Sequence, residues 1–137
     1  MNITCGLILT DGKKFLSVKP TGNIRTRDIP KGMQIKNETN LQTVIREFKE
    51  ETGFNLIPYV NDIKKVGIFP YTKQKNLCVF KLKLTKLPDI TIFHCSSTYK
   101  DVLGTELPEV EDFKYTDKKS IDKFKPTMQE VLKMVFK

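Results

Sequence analysis

The stretch GMQIKNETNLQTVIREFKEETGF, residues 32–54, predicts the helix around which the rest of the chain is arranged. Its second half carries apolar residues at the i, i+3, i+4 and i+7 spacing of a buried stripe, at Leu41, Val44, Ile45 and Phe48. Thr39 and Gln42 have the spacing of a capping box, in which each side chain satisfies a backbone donor of the first turn. Gly53 favours the left-handed conformation that ends a helix.

Three glutamates of this helix, Glu47, Glu50 and Glu51, stand at i, i+3 and i+4 and therefore share one face. That face lies about 130° from the apolar stripe, so we expect three carboxylates to crowd one exposed patch. Like charges at this spacing raise one another's pKa values unless a cation lies among them, and carboxylate oxygens suit Mg²⁺ or Mn²⁺. The alternative is a solvated acidic face, although only Lys49 intervenes among these acids.

Residues 32–54 match the Nudix box, G-x5-E-x7-R-E-U-x-E-E-x-G-U with U a bulky apolar residue, at every specified position. The matching residues are Gly32, Glu38, Arg46, Glu47, Phe48, Glu50, Glu51, Gly53 and Phe54. The chain thus resembles the Nudix hydrolases, which implies an α/β fold with a mixed, mostly antiparallel sheet in an α/β/α sandwich. The resemblance also implies hydrolysis of a nucleoside diphosphate linked to another group, with divalent metal held at Gly32, Glu47, Glu50 and Glu51. Glu38 and Arg46 would brace the loop and the helix.

A second motif precedes the box. Residues 27–32, RDIPKG, resemble the W-D-x-P-K-G sequence of Nudix enzymes that cleave dinucleoside polyphosphates, a branch related to the RNA 5′-pyrophosphohydrolases. Arg27 stands at the position of the tryptophan, and Lys31 would contact phosphate by analogy. This motif favours dinucleoside polyphosphates or 5′-triphosphorylated RNA as substrates.

Residues 19–29 are polar and rich in turn formers, which predicts a loop leading into the site. This loop and the residue before the box supply four basic side chains, Lys19, Arg25, Arg27 and Lys31, which either bind phosphate oxygens or form a solvated basic loop. Phe69 and Tyr71 lie on a predicted strand, where they either pack or stack on a nucleobase.

The acidic segment at residues 109–112 precedes an extended aromatic stretch. In Nudix enzymes an equivalent segment commonly supplies one more carboxylate to the metal site or the catalytic base, which makes Glu109 and Glu111 candidates here; the alternative is surface acidity. Spacing alone does not choose the proton acceptor among Glu47, Glu50 and Glu111.

The remaining pattern predicts strands at residues 2–10, 14–18, 63–71, 77–84 and 90–95, a long loop at residues 96–108, and a second helix. That helix has an apolar stripe at Met128, Val131, Leu132 and Val135, and Thr127 with Glu130 has the form of a capping box. The 137 residues fit a single domain, residues 1–137.

The net charge of +8, from 24 basic and 16 acidic residues, favours polyanionic partners such as a phosphorylated substrate or an RNA 5′ end, or serves solubility. No apolar run approaches the ~20 residues that span a bilayer, and the first residues lack a secretory pattern, so we expect a cytoplasmic protein without a membrane partner. Three scattered cysteines and one histidine, His94, predict neither disulfides nor zinc.

The function expected from the sequence is therefore phosphoanhydride hydrolysis with Mg²⁺ or Mn²⁺ as cofactor. Substrates of the ADP-ribose or nucleoside triphosphate type are the alternative within this class. An alternative of another class is a Nudix-shaped nucleotide- or RNA-binding module without turnover, against which the intact acids argue, because three clustered glutamates do not help a surface to bind nucleic acid.

Overall fold

The computed structural model of the chain describes residues 2–23 and 25–137. The strands in these residues are β1 (Asn2–Thr10), β2 (Lys14–Pro20), β3 (Lys31–Met33), β4 (Ile63–Thr72), β5 (Lys75–Lys83), β6 (Thr98–Lys100), β7 (Glu106–Pro108) and β8 (Val110–Asp117). The helices are α1 (Asn40–Thr52) and α2 (Pro126–Val135). Short 3₁₀ turns cover Ile57–Asp62, Ile90–Ile92 and Lys118–Lys123.

The main sheet of the described residues has the order β4-β5-β1-β2-β8, and β3 also pairs with β1. The pairing of β1 with β5 is parallel, whereas the other pairs are antiparallel. β1 pairs with β3 from Thr4 to Gly6 and with β2 at Thr10. β2 in turn pairs with β8, which forms the edge of the sheet. The sheet is therefore mixed and mostly antiparallel, as predicted.

Each face of the sheet carries its own apolar core. On one face, Val44 and Phe48 of α1 pack with Leu7, Leu9 and other buried residues. On the other face, α2 packs through the stripe predicted from the sequence, together with Phe15 and Phe124. The predicted α/β/α sandwich is confirmed, with the sheet between α1 and α2. Neither helix has an apolar stretch long enough to cross a bilayer, as far as the described chain extends.

Both ends of α1 form as the sequence predicts. The Thr39 hydroxyl accepts a hydrogen bond from the Gln42 backbone N–H, and the Gln42 side chain accepts one from the Thr39 backbone N–H. Gly53 has a φ of 77°, and its N–H donates to the Lys49 carbonyl. These caps fix where α1 begins and ends, and so they fix the positions of its three glutamates.

Three local predictions are wrong. Residues 90–95 are not a strand, because the Asp89 side chain accepts a hydrogen bond from the Thr91 N–H and starts a 3₁₀ turn. Residues 96–108 are not an unstructured loop, since β6 and β7 pair within them as a hairpin. The predicted capping box of α2 is absent: Pro126 takes the first helical position, which places Thr127 inside the helix and leaves Lys125 as a cap without a side-chain bond.

Candidate active site

The short strand β3 lies along α1, and each of its residues meets one side chain of the box. The Lys31 N–H donates to Glu51 Oε1 at 3.1 Å, and Arg46 Nη2 donates to the Met33 carbonyl at 3.0 Å. Between them, Gly32 faces the Glu47 carboxylate. Pairing with β1 holds β3 in place beside the acidic face of α1, while the apolar stripe of α1 packs on the sheet.

Gly32 has no side chain at the place where Glu47 lies. A Cβ atom built on Gly32 would fall 1.9 Å from Cδ of Glu47, far inside van der Waals contact. The side chain of Glu47 could move aside, because its carboxylate is the free end of a flexible chain. The absent Cβ thus provides the space in which the Glu47 carboxylate rests.

Glu38 and Arg46 form the brace expected from the resemblance to the Nudix box. Arg46 Nε donates to Glu38 Oε2 at 2.7 Å, and Arg46 Nη2 donates to Glu38 Oε1 at 2.9 Å. The Ile35 N–H and the Thr43 hydroxyl also donate to Glu38. The hydrogen bonds from Arg46, followed by those from Ile35 and Thr43, lower the pKa of Glu38 to about 2.

Arg46 also reaches two of the candidate metal ligands. Its Nη1 lies 2.7 Å from Glu47 Oε1 and 3.2 Å from Glu50 Oε2. With this guanidinium between them, Glu47, Glu50 and Glu51 do not converge into a ready-made cage; no three acidic, histidine or cysteine side chains do so within the described ranges. The cation expected among clustered acids is here the Arg46 side chain.

Glu51 is buried, with 6% of its surface exposed, which corrects the expectation that the three glutamates share an exposed patch. Its burial follows from β3, which covers the end of the acidic face. Burial, with the neighbouring charges of Glu47 and Glu109, raises the pKa of Glu51 to about 8, although the Lys31 N–H opposes the shift. Burial likewise raises the pKa of Glu47 against the effect of Arg46. The helix therefore holds two carboxylates whose charged forms are poorly solvated.

The two acidic candidates near β8 occupy different places. Glu109 lies within electrostatic range of Glu47, Glu50 and Glu51, and burial followed by the charge of Glu50 raises its pKa. Glu111 instead forms an ion pair with Lys19. The structure thus brings Glu109, and not Glu111, beside the acids of α1.

The start of the segment that the sequence predicted as a long loop holds the end of α1. The Glu50 carbonyl accepts hydrogen bonds from the N–H groups of Ser96 and Ser97, at 2.8 and 3.3 Å, and from the Ser96 hydroxyl at 3.1 Å. The Glu109 N–H in turn donates to the Ser97 carbonyl at 3.0 Å. This chain of bonds links the backbone of Glu109 to the turn of α1 that carries Glu50 and Glu51.

A cleft of about 180 Å³, here called the acidic cleft, opens beside these groups and is lined by Asp28, Lys31, Glu51 and Glu109, with apolar residues of β2 and its neighbours. Lys31 Nζ lies 2.9 Å from Asp28 Oδ2 and 5.3 Å from the centre of the Tyr71 ring. Burial alone would lower the pKa of Lys31, but the Asp28 carboxylate raises it overall, so the ammonium stays charged. Asp28 is a residue that the sequence analysis missed.

The four predicted basic residues do not act as one group. Lys31 is at the acidic cleft, whereas Lys19, Arg25 and Arg27 line a second cleft. Arg27 donates to the Asp112 carboxylate at 2.9 Å and to the Ser17 hydroxyl at 2.8 Å. Phe69 and Tyr71 both pack against the core below α2, as the packing alternative predicted, and the Tyr71 ring also lies under Lys31.

The acidic cleft and α1 together fit a hard divalent cation. The side-chain donors of Glu47, Glu50 and Glu51 are carboxylate oxygens, which Mg²⁺ and Mn²⁺ prefer. The absent side chain of Gly32 leaves the space for Glu47. Glu51 is buried, and the described residues give it a single hydrogen-bond donor, the Lys31 N–H. Among the ion pairs of the described residues, none gives Glu51 a cationic partner.

Comparisons with solved structures show the same fold. The MutT protein from Methanosarcina mazei Go1 is similar with a TM-score of 0.71 and 16% identity, covering 98% of this chain and 91% of that one. The dihydroneopterin triphosphate pyrophosphohydrolase of E. coli gives a TM-score of 0.68 and 14% identity, with 97% and 94% covered. A bifunctional NMN adenylyltransferase/ADP ribose pyrophosphatase from Francisella tularensis, complexed with AMP and a Mn ion, gives 0.65 and 16%, with 96% and 36% covered.

The sequence comparisons complete this result. No curated protein matches the chain. The family pattern of the NUDIX domain, however, matches residues 2–135, nearly the full length. With the box side chains assembled around β3 and α1, the chain belongs to the Nudix family of pyrophosphohydrolases.

Proposed function

We propose that this protein hydrolyses a phosphoanhydride bond in a nucleoside diphosphate-linked substrate, with Mg²⁺ or Mn²⁺ held at Gly32, Glu47, Glu50 and Glu51. One observation carries the proposal: Glu51 is buried beside Glu47 and Glu109, and its carboxylate has one donor, the Lys31 N–H at 3.1 Å. A buried carboxylate without a cation is unfavourable, so a divalent ion at this place stabilises the arrangement.

The metal, when bound, would neutralise charge on phosphate oxygens and lower the pKa of a water molecule. The residues of the chain would hold the metal-binding carboxylates in position. The Lys31 N–H holds Glu51, Arg46 holds Glu47, and the segment at Ser96–Ser97 holds the Glu50 turn. The Lys31 ammonium, kept charged by Asp28, lies in the wall of the acidic cleft and would contact a phosphate oxygen.

We propose Glu109 as the further carboxylate of this site. Its nearness to Glu47, Glu50 and Glu51 supports this role over that of Glu111, which is paired with Lys19. Either Glu109 or one of Glu47 and Glu50 would accept the proton from the attacking water. A Glu109→Gln variant with wild-type affinity for metal but a shifted pH profile of kcat would identify Glu109 as that acceptor.

For the substrate we propose dinucleoside polyphosphates or 5′-triphosphorylated RNA. The Pro30-Lys31-Gly32 sequence supports this choice, and so does the net charge of +8. A second candidate class comes from the structural relatives: one is a dihydroneopterin triphosphate pyrophosphohydrolase and another an ADP ribose pyrophosphatase, which favours nucleoside triphosphates or ADP-ribose. The two candidate classes of substrate give different products on hydrolysis, so one assay that identifies the products distinguishes between the classes.

The test is a panel of substrates incubated with Mg²⁺ or with Mn²⁺: diadenosine polyphosphates, triphosphorylated and capped RNA, ADP-ribose and nucleoside triphosphates. We expect hydrolysis that stops when EDTA is added, and that is lost in Glu50→Gln and Glu51→Gln variants. Glu130→Gln, an exposed glutamate of α2, is the matched control and should retain activity. Hydrolysis of the best substrate at the wild-type rate by folded Glu50→Gln and Glu51→Gln variants would refute the assignment.

A further inference from the structure

A second cleft, of about 290 Å³, lies beside β2, β8 and the chain that follows β8, and is here called the basic cleft. Its lining includes Lys19, Arg27, Lys114, Thr116, Ser120 and Lys123. Nothing in the hydrolytic site described above uses this cleft. Its size suits a compact anion of a few phosphate groups better than a drug-sized apolar ligand.

The basic cleft lies on the face of the sheet opposite α1. In the register of β2 with β8, Val18 opposes Phe113, and Phe113 packs against the core below α1. Ser17 opposes Lys114, and these neighbours in sequence point to the other face, because side chains alternate along a strand. That other face is the α2 side, where Phe15 and Phe124 pack. A ligand in the basic cleft is therefore separated from Glu47 and Glu51 by the sheet.

The cleft has more positive charge than its own acids neutralise. Arg27 is paired with Asp112 at 2.9 Å, and Lys19 is paired with Glu111. The ion pairs of the described residues leave Lys114 and Lys123, as well as Arg25, without a carboxylate. Two exposed lysines at one cleft are thus free to neutralise an anion.

Thr116 gives an independent indication of a ligand. Thr116 is 6% exposed and lines the cleft, and its Oγ1 is buried with no hydrogen-bond partner among residues 2–23 and 25–137. A buried hydroxyl with no partner costs stability, and most such groups in proteins are satisfied. Because Oγ1 is buried, the Thr116 side chain would have to turn toward the cleft, where its hydroxyl would donate the hydrogen bond that it now lacks to a phosphate oxygen.

The walls of the cleft are held by backbone contacts. The Arg27 N–H donates to the Lys123 carbonyl at 2.9 Å, which joins the loop after β2 to the turn before α2. The Ser17 hydroxyl donates to the Lys114 carbonyl at 2.9 Å and accepts from Arg27 Nε at 2.8 Å. The backbone that carries Lys114 and Lys123 is therefore already held in position before an anion binds.

We propose that the basic cleft binds the terminal oligophosphate chain of a ligand, through Lys114, Lys123 and the Thr116 hydroxyl, at a site separate from the catalytic one. The proposal does not depend on hydrolysis. It concerns the opposite face of the sheet, and it is tested without divalent metal, under conditions in which the acidic cleft repels anions.

The experiment is calorimetric titration of the 137-residue chain with inorganic tripolyphosphate in EDTA at moderate ionic strength. We expect one saturable site in the wild type. Lys114→Gln and Thr116→Val should each weaken it by about tenfold, the effect of losing one charge-assisted hydrogen bond. Lys133→Gln removes one positive charge from an exposed position of α2 and is the matched control, with binding unchanged apart from a small general effect of net charge.

Stability measurements separate a binding role of Thr116 from a structural one. Thr116→Val removes a hydroxyl that has no partner, so its Tm should equal or exceed that of the wild type while its affinity falls. Absence of binding by the wild type, equal affinities in the wild type and both cleft variants, or an equal loss in Lys133→Gln would each overturn the proposal.

A competition experiment identifies which kind of ligand supplies the phosphate groups. An RNA oligonucleotide with a 5′-triphosphate should displace tripolyphosphate, whereas the same oligonucleotide with a 5′-hydroxyl should not. Equal displacement by both would mean that the cleft binds the phosphodiester backbone, and would overturn the assignment to a terminal oligophosphate chain.

Discussion

The acidic cleft and the basic cleft lie on opposite faces of one sheet and carry opposite unbalanced charges. In the acidic cleft, buried Glu51 stands near Glu47 and Glu109 with one backbone donor. In the basic cleft, Lys114 and Lys123 stand beside the unsatisfied Thr116 hydroxyl. The net charge of +8 therefore does not describe the surroundings of the carboxylates that we propose as catalytic.

This difference means that the two faces of the sheet would bind a phosphorylated ligand in two different ways. On the α1 side it needs a metal ion, because carboxylates repel phosphates. On the α2 side it needs none, because the lysines bind phosphate directly. Variants that alter one face and leave the other intact test whether the two clefts act independently.

The largest effect is expected from Glu51→Gln. Loss of a metal-binding carboxylate removes several kcal/mol of charge stabilisation, which corresponds to about a 10²–10³-fold fall in kcat/KM. In EDTA at pH 7 the same variant should unfold at a higher temperature than the wild type. The pKa of Glu51 rises from 4.5 to about 8 on folding, so the wild type must take up a proton to fold above pH 4.5, and glutamine avoids that cost. Thermal unfolding with and without Mn²⁺ measures both changes, and a lower Tm in EDTA would contradict the assigned burial. Tripolyphosphate binding at the basic cleft should be unchanged.

Gly32→Ala should have the next largest effect. The new Cβ would displace the Glu47 carboxylate, and a misplacement of about 1 Å at a reacting centre costs about 10²-fold in activity. The fold should survive, because only the end of a flexible side chain must move. Affinity for Mn²⁺, measured by calorimetry, should fall together with kcat, while Tm in EDTA stays near the wild-type value. Retention of wild-type metal affinity would show that Gly32 does not position Glu47.

Glu38→Gln tests the brace between the box loop and α1. Removing the carboxylate that Arg46 binds should lower the free energy of unfolding by about 2–4 kcal/mol at pH 7. The pKa of Glu38 is lowered by folding, so its contribution is fully present above the ordinary value of 4.5 and is lost as pH falls through about 2. Urea unfolding at several pH values should show the wild type and the variant converging near pH 2. A difference that stays constant between pH 4.5 and pH 2 would contradict the ionic nature of the brace.

The smallest effect concerns the basic cleft in the absence of ligand. Thr116→Val should raise the free energy of unfolding by about 1 kcal/mol, or Tm by about 2–4 °C, because the buried hydroxyl is unsatisfied. Tripolyphosphate should then stabilise the wild type more than this variant, which scanning calorimetry measures directly. A marked fall in Tm for the variant would mean that the hydroxyl has a structural partner.

Local signals in the sequence predicted α1 well. The Thr39 capping box, the apolar stripe and Gly53 act within a few residues of one another, so no distant contact is needed to determine them. The sheet and the two helical layers could be predicted from the alternation of apolar and polar residues along the strands, from the apolar stripe of the second helix and from the family resemblance. In α2 the local signal misled, since Pro126 at the first helical position excluded the predicted cap.

The site depended on contacts between distant parts of the chain. The burial of Glu51 comes from β3. The placement of Glu109, and not Glu111, beside the acids of α1 accompanies a register shift in the pairing of β2 with β8 at Lys19 and Pro20. The separation of Lys31 from Lys19, Arg25 and Arg27 comes from the way the loop after β2 pairs back onto the sheet. None of these can be derived from the spacing of residue types alone.

The hydrogen bond between the Glu109 N–H and the Ser97 carbonyl closes the neck of the β6–β7 hairpin. The exposed tip, where Val102 and Leu103 project, is therefore mechanically isolated from the carboxylates at its base. Evolution or a protein engineer could lengthen, shorten or graft onto this tip while the carboxylates at its base keep their geometry.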